Sequence, residues 1–163
     1  MDKAERQELI EKYATAFDEF EAALNAIPKE AWLFKPAPDA WSVHENIIHL
    51  LDSETNSFLR ARRLVAEPGL PLMAYDQDLW AVKLDYHNEN IEDALALTRL
   101  VRKVTYDFIK NLPDEVWSNT VVHPEYDEPY TFKKWLRIYS NHPRAHAQQI
   151  TENYRLWREQ KDQ

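Results

Sequence analysis

Apolar side chains recur at the three-to-four-residue spacing of amphipathic helices through most of this 163-residue chain. Leu9, Ile10, Tyr13, Phe17, Phe20, Leu24 and Ile27 predict a first helix over roughly residues 3 to 26, ended or redirected by Pro28. Ser42 followed three residues later by Glu45 reads as a capping box and opens a second helix. Its core arc is marked by Val43, Ile47, Leu51, Phe58 and Val65, and Pro68-Gly69 stops it at about Glu67. Residues 68 to 90 have no sustained periodicity and read as a long crossover with a short helix near Asp78. That is longer than an antiparallel hairpin needs, so the second and third helices are not expected to be simple up-down neighbours. Ile91, Ala94, Leu95, Thr98, Val101, Thr105, Phe108, Ile109 and Leu112 mark the third helix, and the fourth runs from about Thr131 to Arg158.

The apolar stripe of that last helix contains the main chemical clue. Phe132, Trp135, Tyr139, His142, His146, Ile150, Asn153 and Trp157 share one face, so two imidazoles four residues apart stand in the middle of an apolar surface. Each buried polar group left without a partner costs roughly 1–3 kcal/mol. A shared metal ion would account for the pair. So would core histidines stacked on Trp135, Tyr139 and Trp157, and only a further ligand elsewhere separates the two readings.

Composition narrows the class. A single Gly argues against a fold built on tight hairpins and for an all-α protein, with the nine prolines placed in connections. The length suits one domain over residues 1–163. The absence of cysteine excludes disulfides, thiolate metal sites and a cysteine nucleophile, and fits a reducing compartment. A charged N-terminal stretch and the lack of any 18-residue apolar run lead us to expect a cytoplasmic protein with no membrane partner. The formal charge of −8 works against nucleic-acid binding, and Arg60, Arg62 and Arg63 read as a solvated helix face.

On the second helix, His44 and His49 are five residues apart and cannot serve one site from one face. His44 falls near the core edge; His49 falls with Glu45, Asp52 and Asn56 on a polar flank, as an exposed residue or as the wall of an open cleft. Asp52 and Glu45 read either as groups that orient the His49 ring or move protons, or as a solvated charged face and helix cap. His87 and His123 lie in connections and are expected to be exposed. The hexapeptides Ile27-Pro28-Lys29-Glu30-Ala31-Trp32 and Leu112-Pro113-Asp114-Glu115-Val116-Trp117 each follow a helix and precede a histidine-bearing one, which suggests two related helix pairs.

Five stretches together resemble the DinB/YfiT-like superfamily: Trp41-Ser42-Val43-x-Glu45-x-x-x-His49-Leu50, Trp80-x-x-x-Leu84-x-Tyr86, Pro113-x-Glu115-x-Trp117, His123-Pro124-Glu125, and Tyr139-x-x-His142-x-x-x-His146-x-x-Gln149-Ile150. The resemblance implies a four-helix bundle of up-down-down-up topology and a divalent metal held by His49, His142 and His146. Three neutral imidazoles with open positions suit Zn²⁺, Ni²⁺ or Fe²⁺. The residue after the first histidine of the family's His-x-x-x-His is usually acidic, whereas here it is Pro143, which is expected to kink or bulge the helix. His123 matches a family position and so would line the cleft mouth.

Three functional readings follow. In the first, the protein is a metal-dependent enzyme acting on a small-molecule substrate, by resemblance an S-transferase with a low-molecular-weight thiol as co-substrate or a related hydrolase. In the second, the metal serves a non-catalytic stress-response module. In the third, the chain is a metal-free helical interaction protein with His142 and His146 in its core. The resemblance also makes a homodimer an expectation.

Overall fold

The computed structural model describes residues 1–162. Five α-helices carry the fold: α1 (Lys3–Asn25), α2 (Val43–Ala66), a short α3 (Gln77–Lys83), α4 (Ile91–Ile109) and α5 (Phe132–Lys161). The expected boundaries hold to within a few residues. The third long helix stops at Ile109 rather than Leu112, and the last continues to Lys161. The start of α2 is fixed as the sequence suggests: Ser42 Oγ accepts from the Glu45 amide while the Glu45 carboxylate accepts from the Ser42 amide. Both Pro-containing hexapeptides open a 3-10 turn with proline as the capping residue, at Lys29–Ala31 and Asp114–Ser118.

Side-chain pairings give the helix directions. Glu5 meets Lys133 and Arg137, and Glu19 meets Arg144, so α1 and α5 run parallel. Glu54 meets Arg102, and Arg62 lies over Phe108, so α2 and α4 are parallel as well. Ser57 accepts from Trp135 and Asn46 faces His146, which makes α2 antiparallel to α5. This is the up-down-down-up bundle. Two parallel neighbours joined in sequence need a connection as long as the bundle, and residues 67–90 supply it, carrying α3 on the way.

The start of the crossover is pinned by a small ribbon that a one-glycine sequence does not suggest. Thr120–Val121 (β1) pairs antiparallel with Tyr130–Thr131 (β2), and the amides of Gly69 and Leu72 donate to the carbonyls of Thr120 and Val122. The long loop between the strands needs no glycine turn. Gly69, the chain's only glycine, has φ of 84°, so it stands at the turn that leaves α2. Among the described residues no helix is long and apolar enough to cross a membrane.

Two apolar cores fill the bundle. One gathers Leu9, Tyr13, Leu64, Ile109, Trp135 and Leu136; the other gathers Phe17, Phe20, Ile47, Ile48, Leu50 and Ile150. Between them lies a polar layer. In it Arg102 of α4 forms a buried ion pair with Glu54 of α2 at 2.5 Å, donates to the Tyr13 carbonyl of α1 at 2.5 Å, and covers the Tyr13 ring at 3.9 Å. Burial pushes the Glu54 carboxyl pKa up, and the Arg102 charge and hydrogen bond pull it back down. Removing one member of such a pair strands a charge in the interior. Glu54→Leu is therefore expected to cost about 3–5 kcal/mol, and Glu54→Leu with Arg102→Met together to recover most of it, read as urea unfolding midpoints.

Candidate metal centre

Three histidines converge where α2 and α5 cross the polar layer. His49 Nε2 lies 3.4 Å from His142 Nε2, and His146 Nε2 lies 3.0 Å from the same atom. One ligand atom from each of the three falls within 4.8 Å of the others. Nitrogens bound at about 2.0–2.1 Å around one ion stand roughly 3.0–3.4 Å apart in tetrahedral or octahedral geometry. The two distances from His142 have that spacing. Neutral imidazoles that aim their lone pairs at a common point repel one another unless a cation sits among them. The donor set and its geometry therefore fit a divalent ion.

The sequence positions each ring by local means. His142 and His146 are one turn apart on α5. His146 Nδ1–H donates to Asn46 Oδ1 at 2.7 Å, which leaves the Nε2 lone pair for a ligand. The Nδ1 atoms of His49 and His142 are buried without a protein partner. Trp41, held at its carbonyl by Asn153 Nδ2 at 2.8 Å, lays its indole 4.4 Å from the His49 ring and 6.4 Å from that of His146. The reading of the His49 flank as exposed is corrected here: His49 is 2% exposed and Glu45 is also buried, because Trp41 and the segment before α2 cover that flank.

α5 runs through Pro143 as one α-helix. The proline leaves the Tyr139 carbonyl without its usual amide. Arg102 approaches that carbonyl with Nη1 and Nη2 at 3.4 and 3.5 Å, two long contacts. Arg144 Nη1 likewise reaches the Ser140 carbonyl at 2.5 Å. A cation from the neighbouring helix thus supports the turn that presents His142.

A cavity of about 380 Å³ opens on all three histidines and is walled by Trp41, Gln149 and, from the start of α3, Gln77 and Asp78. A second, of about 610 Å³, shares His142 and Gln77 with it. The carboxylates beside the histidines are those of Asp39 and Asp78, which sequence reasoning did not single out. Their signal is weak, since both lie outside the long helices. Asp52 accepts a short hydrogen bond from the buried Tyr86 hydroxyl, and burial raises its pKa. Glu45 is held by the Ser42 cap and by Lys35 at 3.0 Å. His44 faces the Glu89 carbonyl and stacks on the exposed His87. His123, expected to be exposed, is buried against Tyr126 and Tyr130.

Burial, with His146 nearby, pushes the His49 pKa down to about 3; burial takes His146 to about 4; burial and the neighbouring charges of His146, His49 and Arg102 hold His142 well below its ordinary range. The rings are therefore neutral, as ligands must be. Because the unfolded chain binds protons near the ordinary value of 6.5 while the folded protein does not, these groups add stability above that pH. The contribution is lost as pH falls from 6.5 toward 4. Metal-free protein is expected to lose roughly 1.4 kcal/mol per pH unit for each such histidine. Urea midpoints at pH 7 and pH 5 check this, and His49→Gln with His146→Gln should flatten the dependence.

A family model described as the DinB superfamily matches residues 12–150. Among curated relatives, "Putative metal-dependent hydrolase OB0782" of Oceanobacillus iheyensis is 31% identical over 111 residues, covering 68% of this chain and 63% of the relative. "Putative metal-dependent hydrolase YfiT" of Bacillus subtilis is 27% identical over 112 residues, covering 69% and 63%. The matched region thus spans less than two thirds of these relatives' length. The solved structure of Bacillus subtilis YfiT, described as a probable metal-dependent hydrolase with an unusual four-helix bundle topology, superposes with a TM-score of 0.87 over 95% of this chain and 89% of that one, at 22% identity. With the family model matched across most of its length, the chain belongs to the DinB superfamily.

Proposed function

We propose that this protein is a metal-dependent enzyme whose divalent ion is held by His49, His142 and His146. The observation that carries this reading is the convergence of three histidine Nε2 atoms on the wall of an open cavity. A structural metal site is closed by a fourth protein ligand, whereas a catalytic one keeps a position free. Among the described residues the cluster holds three histidines and no fourth ligand, and it faces a cavity large enough for a small molecule. The names of the curated relatives, as metal-dependent hydrolases, point the same way.

A divalent ion bound there would lower the pKa of a water or thiol and so supply a nucleophile at neutral pH. The chain's own residues do the rest. Asn46 fixes the His146 tautomer, Trp41 shields His49 and His146 on one side, and Arg102 holds the turn that carries His142. Asp39 and Asp78 line the same cavity and are the carboxylates available there to accept a proton from the nucleophile. Asp52 and Glu45 act further out, through Tyr86 and through the cap of α2. Zn²⁺, Ni²⁺ and Fe²⁺ all suit three neutral imidazoles.

Hydrolysis and transfer to a small thiol both use such a site. The chain has no cysteine, so no protein thiolate would compete for the ion or for the electrophile in a thiol reaction. A non-catalytic metal module is the alternative, and it requires a site without exchangeable water.

Protein purified without an affinity tag or chelator is expected to bind about one equivalent of metal per chain. The His49, His142, His146 triple-alanine variant should bind none while retaining its helical circular dichroism. Equal metal in both proteins would remove the ligand assignment. With metal present, a panel of activated esters and of alkyl halides with a small thiol separates the two chemistries. Turnover of neither, together with slow water exchange at the ion, would favour the non-catalytic module.

A further inference from the structure

The larger cavity beside the metal centre contains an arginine that has no carboxylate partner. Arg60, on α2, was expected on a solvated face with Arg62 and Arg63. It instead lines the cavity of about 610 Å³ that ends at His142. Its Nη1 donates to the Tyr139 hydroxyl at 3.0 Å, its Nη2 makes only a long contact of 3.4 Å to the Met73 carbonyl, and its Nε is buried without a partner. No acidic side chain among the described residues lies within ion-pair distance of it. The contrast with Arg102 is instructive. There the interior supplies a carboxylate and the Tyr13 carbonyl at 2.5 Å each, although the Arg102 Nε, like that of Arg60, has no partner. Arg60 keeps a guanidinium fork with donors to spare, in the geometry that takes a carboxylate by two parallel hydrogen bonds.

We propose that Arg60 is an anion-binding residue of the substrate cleft, and that the substrate bears a carboxylate on the arm remote from the reacting group. Eleven residues of α2 separate His49 from Arg60, about 16 Å of axial rise, and the arginine side chain leans back toward the helix N-terminus, shortening the span. A small molecule in the shared cleft therefore reaches both. The lining near Arg60 also includes the hydroxyl side chains of Ser53, Tyr75 and Tyr139, which add neutral hydrogen-bond donors. Asp76 and Glu125 line the same cavity. Asp76 is occupied in part as the cap of α3, where it accepts from the Leu79 amide at 2.9 Å. These two carboxylates disfavour a second anionic group and so select for a single one. The proposal rests on the metal-centre reading for the reacting end of the substrate and not for the carboxylate end.

The test uses 3-phenylpropionate and its neutral amide as probes, titrated by NMR into the protein as purified, with metal content measured on the same samples. Wild type is expected to bind the acid at least about tenfold more tightly than the amide, Arg60→Gln to lose that preference, and Arg60→Lys to keep part of it, since it keeps the charge but not the fork. Thermal unfolding is recorded for each variant; should Arg60→Gln not fold, Arg60→Lys decides, a preference equal to wild type counting against the proposal. Equal binding of acid and amide, no saturable binding of either, or a preference that survives Arg60→Gln because the carboxylate sits on the ion would each overturn it. An Arg60-dependent preference in protein that binds no metal would support the anion site while removing the metal-centre reading alone.

Discussion

One buried ion pair ties the four long helices of this bundle together. Arg102 comes from α4, Glu54 from α2, and the carbonyls that share the guanidinium come from Tyr13 of α1 and Tyr139 of α5, so a single side chain touches all four long helices. The penalty of burying two charges is offset as far as the remaining donors and acceptors are met; the Arg102 Nε is the donor left without a partner, and one of the two carbonyls has a reason to be available. The Tyr139 carbonyl has lost its amide to Pro143. The ion pair is thus a structural partner of the proline, and through it of His142. A hydrophobic replacement of the pair would preserve packing but leave that carbonyl without a donor.

The same layer explains how an apolar bundle tolerates three histidines. The two hydrophobic cores lie on either side of it, and the helices are long enough to carry both and a polar zone between. Burial keeps the rings neutral, and the nearby Arg102 charge disfavours their protonation further at His142. A set of ligands that will not protonate near neutrality is what a metal site needs, and the fold provides it through position in the bundle as much as through any specific hydrogen bond.

Much of this was legible from residue spacing. Helical periodicity located the four long helices, the Ser42–Glu45 box fixed the start of α2, and the His142–His146 interval put two imidazoles on one face. What a helical wheel lacks is knowledge of the neighbour. The polar flank of His49 left it either exposed or in a cleft wall, and what decides is Trp41, which folds back over it from just before the helix. Arg60 looked solvated beside Arg62 and Arg63, but the crossover closes over that part of α2 and turns its face into a cavity wall. The consequence of Pro143 depended on a residue 41 positions earlier in the chain, Arg102. His123 was misjudged because it lies in the loop between the two strands of the ribbon, where Tyr126 and Tyr130 bury it. In each case the missing information is tertiary contact across a long sequence separation, which periodicity does not encode.

The crossover meets two demands at once. Topology requires it, because α2 and α4 run the same way, and its path over the bundle surface supplies Tyr75, Asp76, Gln77 and Asp78 to the two cavities. The histidines sit on rigid helices, while these four wall residues sit on a connection with its own short helix and belong to neither core, which the connection reaches through Leu72, Ala81 and Tyr86 instead. Substitutions or length changes there can reshape what enters the cleft while the ligand geometry stays fixed. A scaffold divided in this way is suited to diversify: one chemistry anchored in the bundle, with the range of molecules it meets set by a segment free to drift.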